Sequence, residues 1–193
     1  MDCPENATLV IGHHAKTRQE LADMVAADKY GELIREVPVK KGDFLQIDPG
    51  TVHAIKGGFL ILETQQNSDI TYRVYDYGRL VDGKPRQLHV QQSINVINVP
   101  DEADKKALSH TDGLPGNTLN LLVESKYYKV WKLDLEGAVS FEQEYPFLIL
   151  SVLEGSGTLD GRAVEKGAHM LLPAGYGKVE LEGNMELIVS APV

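Results

Sequence analysis

Cysteine is almost missing. Cys3 is the single thiol in 193 residues, which excludes an internal disulfide framework and a zinc site built from several cysteines. Such usage fits a reducing compartment. Long apolar runs are missing too, none approaching the roughly 20 residues that a membrane-spanning helix needs. The opening MDCPENATLVIGHH has no basic segment leading into an apolar one, so it does not read as a signal peptide. The expectation is a cytoplasmic protein without a membrane partner. Positive charge is scarce as well: 19 Lys and Arg stand against 28 Asp and Glu, for a net charge of −9. That balance argues against nucleic acid or an anionic membrane surface as the main partner.

What the sequence does contain is a packed-core composition, 42% hydrophobic with 18 glycines, far from that of a disordered chain. The apolar segments are short and bounded by Gly, Pro, Asp or Asn, which reads as strands and turns. In the first half these are residues 8–12, 33–39, 43–47, 58–64, 71–77, 86–90 and 94–99. One stretch breaks the pattern. TRQELADMVAAD (17–28) sets Leu21, Met24 and Val25 on a helical period, with Thr17 as N-cap and Glu20 as its capping-box partner. PDEADKKALSHTDGLPGNT (100–118) is polar and punctuated by Pro and Gly, the signature of a linker or long surface loop. Strands then resume at 119–125, 127–135, 138–144, 147–155, 157–161, 169–174, 177–183 and 185–192. Many short strands with glycine turns predict an all-β sandwich or barrel with one short helix near 17–28. An internal echo supports two related β domains: VKKGDFLQIDPGTVH (39–53) runs parallel to VEKGAHMLLPAGYGK (164–178), with no histidine in the second copy where His53 stands in the first.

The stretch 45–76, LQIDPGTVHAIKGGFLILETQQNSDITYRVYD, concentrates the chemistry. Pro49 fixes φ and Gly50 permits a positive φ, so the chain reverses and delivers His53 at a strand start. An imidazole held there can ligate a metal. Glu63 ends the next apolar run, Asp69 lies in the following turn, and Arg73 sits in the run after it. A metal, a carboxylate and a guanidinium together could polarise a carbonyl, move a proton on the neighbouring carbon and stabilise the charge that develops. That set suits aldose–ketose isomerisation. Each residue has an ordinary reading beside it. A histidine after a Pro-Gly turn is commonly just hydrogen-bonded, a strand-end Glu solvated, and an Arg among aspartates salt-bridged. Spacing alone leaves both open. Side chains of adjacent residues in a strand alternate, so His13 and His14 do not chelate together. They are read as structural, with His89, His110 and His169.

The residues GDFLQIDPGTVHAI and LILETQQNSDITYRVYDYGRL closely resemble the type I mannose-6-phosphate isomerases in their short bacterial form, members of the cupin superfamily. The resemblance extends from DCPENATLVIGHHA to SVLEGSGTL and VEKGAHMLLPAG. It implies cupin-type jelly-roll domains, a Zn²⁺ cofactor and a small sugar phosphate as substrate, interconverted as mannose 6-phosphate and fructose 6-phosphate through a cis-enediol. It implies His53 as a zinc ligand, Arg73 as the catalytic arginine, Glu63 as the proton-transfer base and Asp69 as a substrate-side residue. The family's Gln-x-His-Pro motif and the Glu-Cys-Trp-type strand that follows it do not occur here, which implies a C-terminal portion of a longer isomerase. The domain expectation is then an incomplete catalytic cupin domain over 1–105, a linker over 106–118 and a small cupin-like β domain over 119–193, with self-association through incomplete sheet edges. Two other readings stand beside the enzyme: a non-catalytic cupin or sugar-binding remnant, and a small cupin enzyme using His13 or His14 with His53. Lys40, Lys41, Lys56, Arg79 and Lys84 are unranked candidates for holding the phosphate.

Overall fold

In the computed structural model, which describes residues 1–68, 70–102 and 108–193, the chain forms two units. The first comprises Met1–Glu63 with Asn67–His110, the second Thr64–Gln66 with Thr111–Val193. Both are mainly β. Among the described residues no helix is long and apolar enough to cross a membrane.

Unit 1 runs β1 (Thr8–His13), α1 (Arg18–Ala26), α2 (Tyr30–Leu33), β2 (Ile34–Pro38), β3 (Phe44–Leu45), β4 (His53–Ala54), β5 (Leu80–Val81), β6 (Lys84–Pro85), α3 (Val90–Val96) and β7 (Leu108–Ser109). The apolar β1 is the centre of an antiparallel sheet in the order β2-β1-β4. The predicted helix is present as α1. Thr17 Oγ1 accepts from the Glu20 N–H at 3.1 Å while Glu20 Oε2 accepts from the Lys16 N–H at 2.7 Å, so two of the helix-entry donors are satisfied. Leu21 and Val25 of α1 are buried with Ala15, Leu33 and Ile97 in one small core. Arg18 on α1 donates to the carbonyls of Ile94 and Ile97 at the C-terminal end of α3, where a cation satisfies orphan acceptors and complements the helix dipole.

The structure departs from the sequence expectation at three places in this unit. Residues 94–99 and the end of 86–90 do not form strands, because α3 occupies Val90–Val96. Its β-branched residues favour strand, but Val90, Ile94 and Ile97 fall one and two helical turns apart and pack on the α1 core, and that burial decides. Residues 58–64 and 71–77 are irregular apart from a single bridge between Asp2 and Leu60. No strand among the described residues pairs with them, and an unpaired extended segment has no ladder to satisfy its backbone. Lastly, Leu108–Ser109, expected within the linker, pairs with Phe44–Leu45.

Unit 2 contains β8 (Asn120–Glu124), β9 (Tyr128–Gln143), β10 (Phe147–Leu159), β11 (Arg162–Glu165), β12 (His169–Pro173) and β13 (Gly177–Pro192). Its antiparallel sheet runs β11-β10-β13-β9-β8, with β12 also pairing β10. Three strands are long, 16, 13 and 16 residues for β9, β10 and β13, and each carries a glycine inside it. In register these glycines line up across the sheet as Gly137, Gly183 and Gly157. On β9, Leu133 and Leu135 precede Gly137, and Val139 and Phe141 follow it, all on one core. On β13, Leu181 and Met185 flank Gly183 on that core. The glycine row shares the face of these core residues by strand alternation, with Gly137 exposed under open space and Gly157 and Gly183 half-buried in close backbone approach. It marks a corner, a place where backbones approach and the sheet turns over its own core.

The internal echo has a conformational counterpart. In the first copy the Asp43 N–H donates to Lys40 O at 3.2 Å, and in the second the Ala168 N–H donates to Glu165 O at 2.9 Å. Gly42 and Gly167 sit at the third position of these turns, each with φ of 87°, the positive φ that a type II turn requires there.

Candidate active site

His53 is placed by the turn before it. Thr51 N–H donates to Asp48 O at 3.1 Å, with Gly50 at φ 84°. Asn98 locks this turn: its N–H donates to Gly50 O at 2.9 Å and its Nδ2 to Pro49 O at 2.9 Å. A Cβ on Gly50 would lie 2.7 Å from Val96 O, so only glycine fits. His53 then enters β4 opposite Ile11 of β1. Its Nδ1 lies 3.0 Å from Thr51 O. A carbonyl only accepts, so Nδ1 carries the proton and Nε2 is left with its lone pair on an exposed ring.

Arg73 is half-buried in an irregular segment, Glu63 is exposed at the end of another, and Asp69 lies outside the described residues. Among the described residues no ion pair joins Glu63 to Arg73. The Arg73 segment is pinned by neighbours instead of by a sheet. The His89 N–H donates to Arg73 O at 2.7 Å, and the Arg73 N–H donates to His89 Nδ1 at 3.3 Å. Tyr30 Oη donates to Val74 O at 3.1 Å. Burial of Tyr30 raises its pKa, with Asp28 and Tyr75 adding to the shift, so the phenol stays a donor. Tyr30 also stacks on Tyr75 with centroids 4.0 Å apart.

Asp76 holds the other end of this segment. Its carboxylate is buried and accepts from Arg86 Nε at 2.7 Å, from Arg86 Nη2, and from Arg79 Nη2 at 2.7 Å. The Arg86 hydrogen bonds first, then those from Arg79, keep the carboxyl well below the usual range although desolvation opposes them. A depressed carboxylate stabilises the fold above its unfolded value of about 3.9 and loses that contribution as pH falls through the folded value. Urea midpoints measured between about pH 5 and pH 2 should therefore fall steeply in the wild type. With Asp76→Asn they should start lower and fall less. Equal slopes would show that Asp76 does not carry the acid lability.

Most of the other singled-out residues are engaged elsewhere. Lys56 Nζ donates to Thr8 Oγ1 at 2.7 Å and pairs with Glu36. Lys41 pairs with Asp2, and Arg79 with Asp76. Lys40 also has partners. His110 Nδ1 is 2.8 Å from Asp43 Oδ1, and His169 Nδ1 is 2.8 Å from Ser151 Oγ, both structural as expected. His14 is exposed and His13 buried, consistent with opposite faces. His13 Nε2 donates to Asn98 O at 2.9 Å, and it shares a cavity of about 60 Å³ with His53, Tyr30 and Val74. Among the described residues no three His, Cys, Asp or Glu converge as a metal site.

Comparison with known proteins gives this geometry its context. The family described as "Mannose-6-phosphate isomerase, cupin domain" matches residues 117–192. The mannose-6-phosphate isomerase ManA of Bacillus subtilis (strain 168) is 46% identical over 195 residues, covering 98% of this chain and 62% of the relative. The mannose-6-phosphate isomerase of Streptococcus mutans is 42% identical, covering 96% of this chain and 60% of the relative. Residues 117–192 thus belong to the isomerase cupin-domain family, and the chain is similar to mannose-6-phosphate isomerases along nearly its whole length. The crystal structure of the B. subtilis enzyme superposes with a TM-score of 0.81 at 38% identity, over 98% of this chain and 62% of that one, so the fold is that of the isomerase's cupin domains. The chain spans about three fifths of the length of the curated relatives it matches.

The residues that sequence reasoning missed are those that hold the Arg73 segment. His89, Asp76 and Arg86 reach Arg73 and its segment from up to 16 residues away in the chain, and no spacing rule connects them.

Proposed function

We propose that this chain carries the arginine and carboxylate of a mannose-6-phosphate isomerase site and takes part in interconverting mannose 6-phosphate and fructose 6-phosphate in the cytoplasm. The observation that supports this most is the 46% identity running through 98% of the chain, including the stretch that holds His53, Glu63 and Arg73. On this reading the Glu63 carboxylate removes the proton at C2 of the open-chain aldose. The C–H electrons form the C1–C2 double bond of a cis-enediolate, and the charge collects on O1. Arg73 stabilises that oxyanion. A proton passes from the C2 hydroxyl to O1, leaving the charge on O2; as the C2=O bond forms, the C1–C2 π electrons take the proton back from Glu63 at C1, giving the ketose.

The family resemblance implies Zn²⁺, for which three or four protein ligands are usual. His53 presents one lone pair, and the described residues do not supply a set of three donors. The donor set on this chain therefore does not fit the ion by itself, and no step above uses it. That same observation favours a second reading, a sugar-binding cupin without turnover. The open sheet edges, β8 and β11, are where copies of the chain would associate.

A coupled isomerase assay on this chain, with mannose 6-phosphate and added Zn²⁺, separates the two. Turnover is expected in the wild type and its loss is expected in Glu63→Gln. Folded wild-type protein without turnover would overturn the enzyme reading in favour of the sugar-binding one.

A further inference from the structure

Arg73 has no regular secondary structure to hold it, yet a guanidinium that stabilises a developing charge must be aimed before the charge appears. A misplacement of about 1 Å can cost about a hundredfold in rate. Something must therefore take the place of the missing strand. His89, the residue that precedes α3, contacts Arg73 twice. Its N–H donates to Arg73 O at 2.7 Å, and its ring Nδ1 accepts from the Arg73 N–H at 3.3 Å. Both polar groups of the Arg73 backbone are thus bound by one residue, as a neighbouring strand would bind them. The accepting role of Nδ1 places the ring proton on Nε2. The ring is flanked by Tyr72, with centroids 5.9 Å apart. His89 is in turn fixed by helix α3, whose first bond runs from the Ser93 N–H to His89 O at 2.8 Å. Helix α3 is anchored by Arg18 at its far end.

We infer that His89 is a positioning residue for Arg73, acting as a one-residue substitute for a β-strand partner through its N–H and its Nδ1. The inference rests on the role proposed above for Arg73. It does not require His89 to touch substrate. The neighbouring Arg86–Asp76 bonds hold the segment three residues further on, so the loop is held at both ends from the same short stretch, 86–89. Of these two attachments only the His89 one bears on the Arg73 backbone itself.

Two variants of the full chain test it. His89→Leu keeps bulk beside Tyr72 but removes the acceptor. His89→Asn puts an amide oxygen where Nδ1 stood. The first readout is amide hydrogen exchange at Arg73 by NMR, with the Leu150 amide in unit 2 as the reference for global opening. In His89→Leu the Arg73 amide should exchange about tenfold faster or more, with Leu150 unchanged, because local opening is then easier than global unfolding. In His89→Asn protection should return. The second readout is isomerase kinetics, where His89→Leu should lower kcat about tenfold with KM within about twofold, and His89→Asn should recover most of it. Unchanged exchange at Arg73 in His89→Leu overturns the inference whatever the kinetics. Faster exchange with wild-type kcat also overturns it, since the placement of Arg73 would then be irrelevant to turnover. A failure of the isomerase reading shows separately, as a wild-type chain without turnover, and the exchange data still decide whether His89 fastens Arg73.

Discussion

Gly183→Ala should abolish the stable fold of unit 2, at a cost above about 4 kcal/mol. Gly183 lies mid-strand in β13 with φ of 141°, a region that L residues with a side chain rarely enter. Space is the larger problem. A Cβ there would stand 2.5 Å from Gly157 Cα and 2.6 Å from Ser156 O. Both are backbone atoms of β10, which is itself paired on its other side with β11 and β12. No rotamer change relieves such a contact; β10 would have to move away and break its ladder with β13. That ladder closes over a core containing Leu133, Leu150, Leu181 and Leu187, so the loss would spread through the unit. Gly137→Ala is the internal comparison. It occupies the same row on β9, with φ of 96° but no atom within 4 Å of its added Cβ, so only backbone strain of about 1–2 kcal/mol applies. Chemical denaturation of the two variants beside the wild type checks this. Equal, small losses from both would show that the glycine row is not a corner held by close backbone approach.

That same row shows what was legible in the sequence and what was not. The segments of β8, β9, β10, β12 and β13 read as strand from the sequence while β11 does not, and the boundaries fall near Gly137, Gly155–Gly157 and Gly183, as though each ended a strand. Locally that is the ordinary meaning of glycine. In the fold these glycines lie inside continuous strands, and at Gly157 and Gly183 the absence of a side chain is what lets the two backbones approach. Only the register between three distant strands reveals it. In unit 1 the reverse error occurred. The segments 58–64 and 71–77 have strand-like composition and no ladder, because strand formation depends on partners that a single segment cannot announce. Local signals were reliable where local physics decides. Thr17 caps α1 through its own side chain, and Pro49-Gly50 turns the chain into His53 within a few residues. The proposed site residues Glu63 and Arg73 are legible as residue types in a family pattern. The means of holding Arg73 were not, because His89 and Asp76 act through contacts that exist only once the loop has folded.

Arg73→Lys should lower kcat about 10²- to 10³-fold, a loss of about 2.7–4 kcal/mol of transition-state stabilisation, while leaving the fold intact. The charge is conserved, so a purely electrostatic anchor would tolerate the change. The proposed task is more demanding. An enediolate oxygen gains its charge only during the reaction, and a planar fork of donors fixed in advance can meet it without reorganising. A lysine ammonium on a flexible stem cannot. The side chain of Arg73 makes no ion pair among the described residues, so its replacement removes no structural bond, unlike replacement of Arg86 or Arg79 on Asp76. Stability should therefore stay within about 0.5 kcal/mol of the wild type, and the two arginine classes become separable by experiment: Arg86→Lys should lower the urea midpoint, Arg73→Lys should lower kcat. Steady-state kinetics with mannose 6-phosphate decides whether the loss falls in kcat or in KM. A rise in KM alone would mean that Arg73 binds ground state and transition state equally, and would move it from the oxyanion to the phosphate end of the substrate.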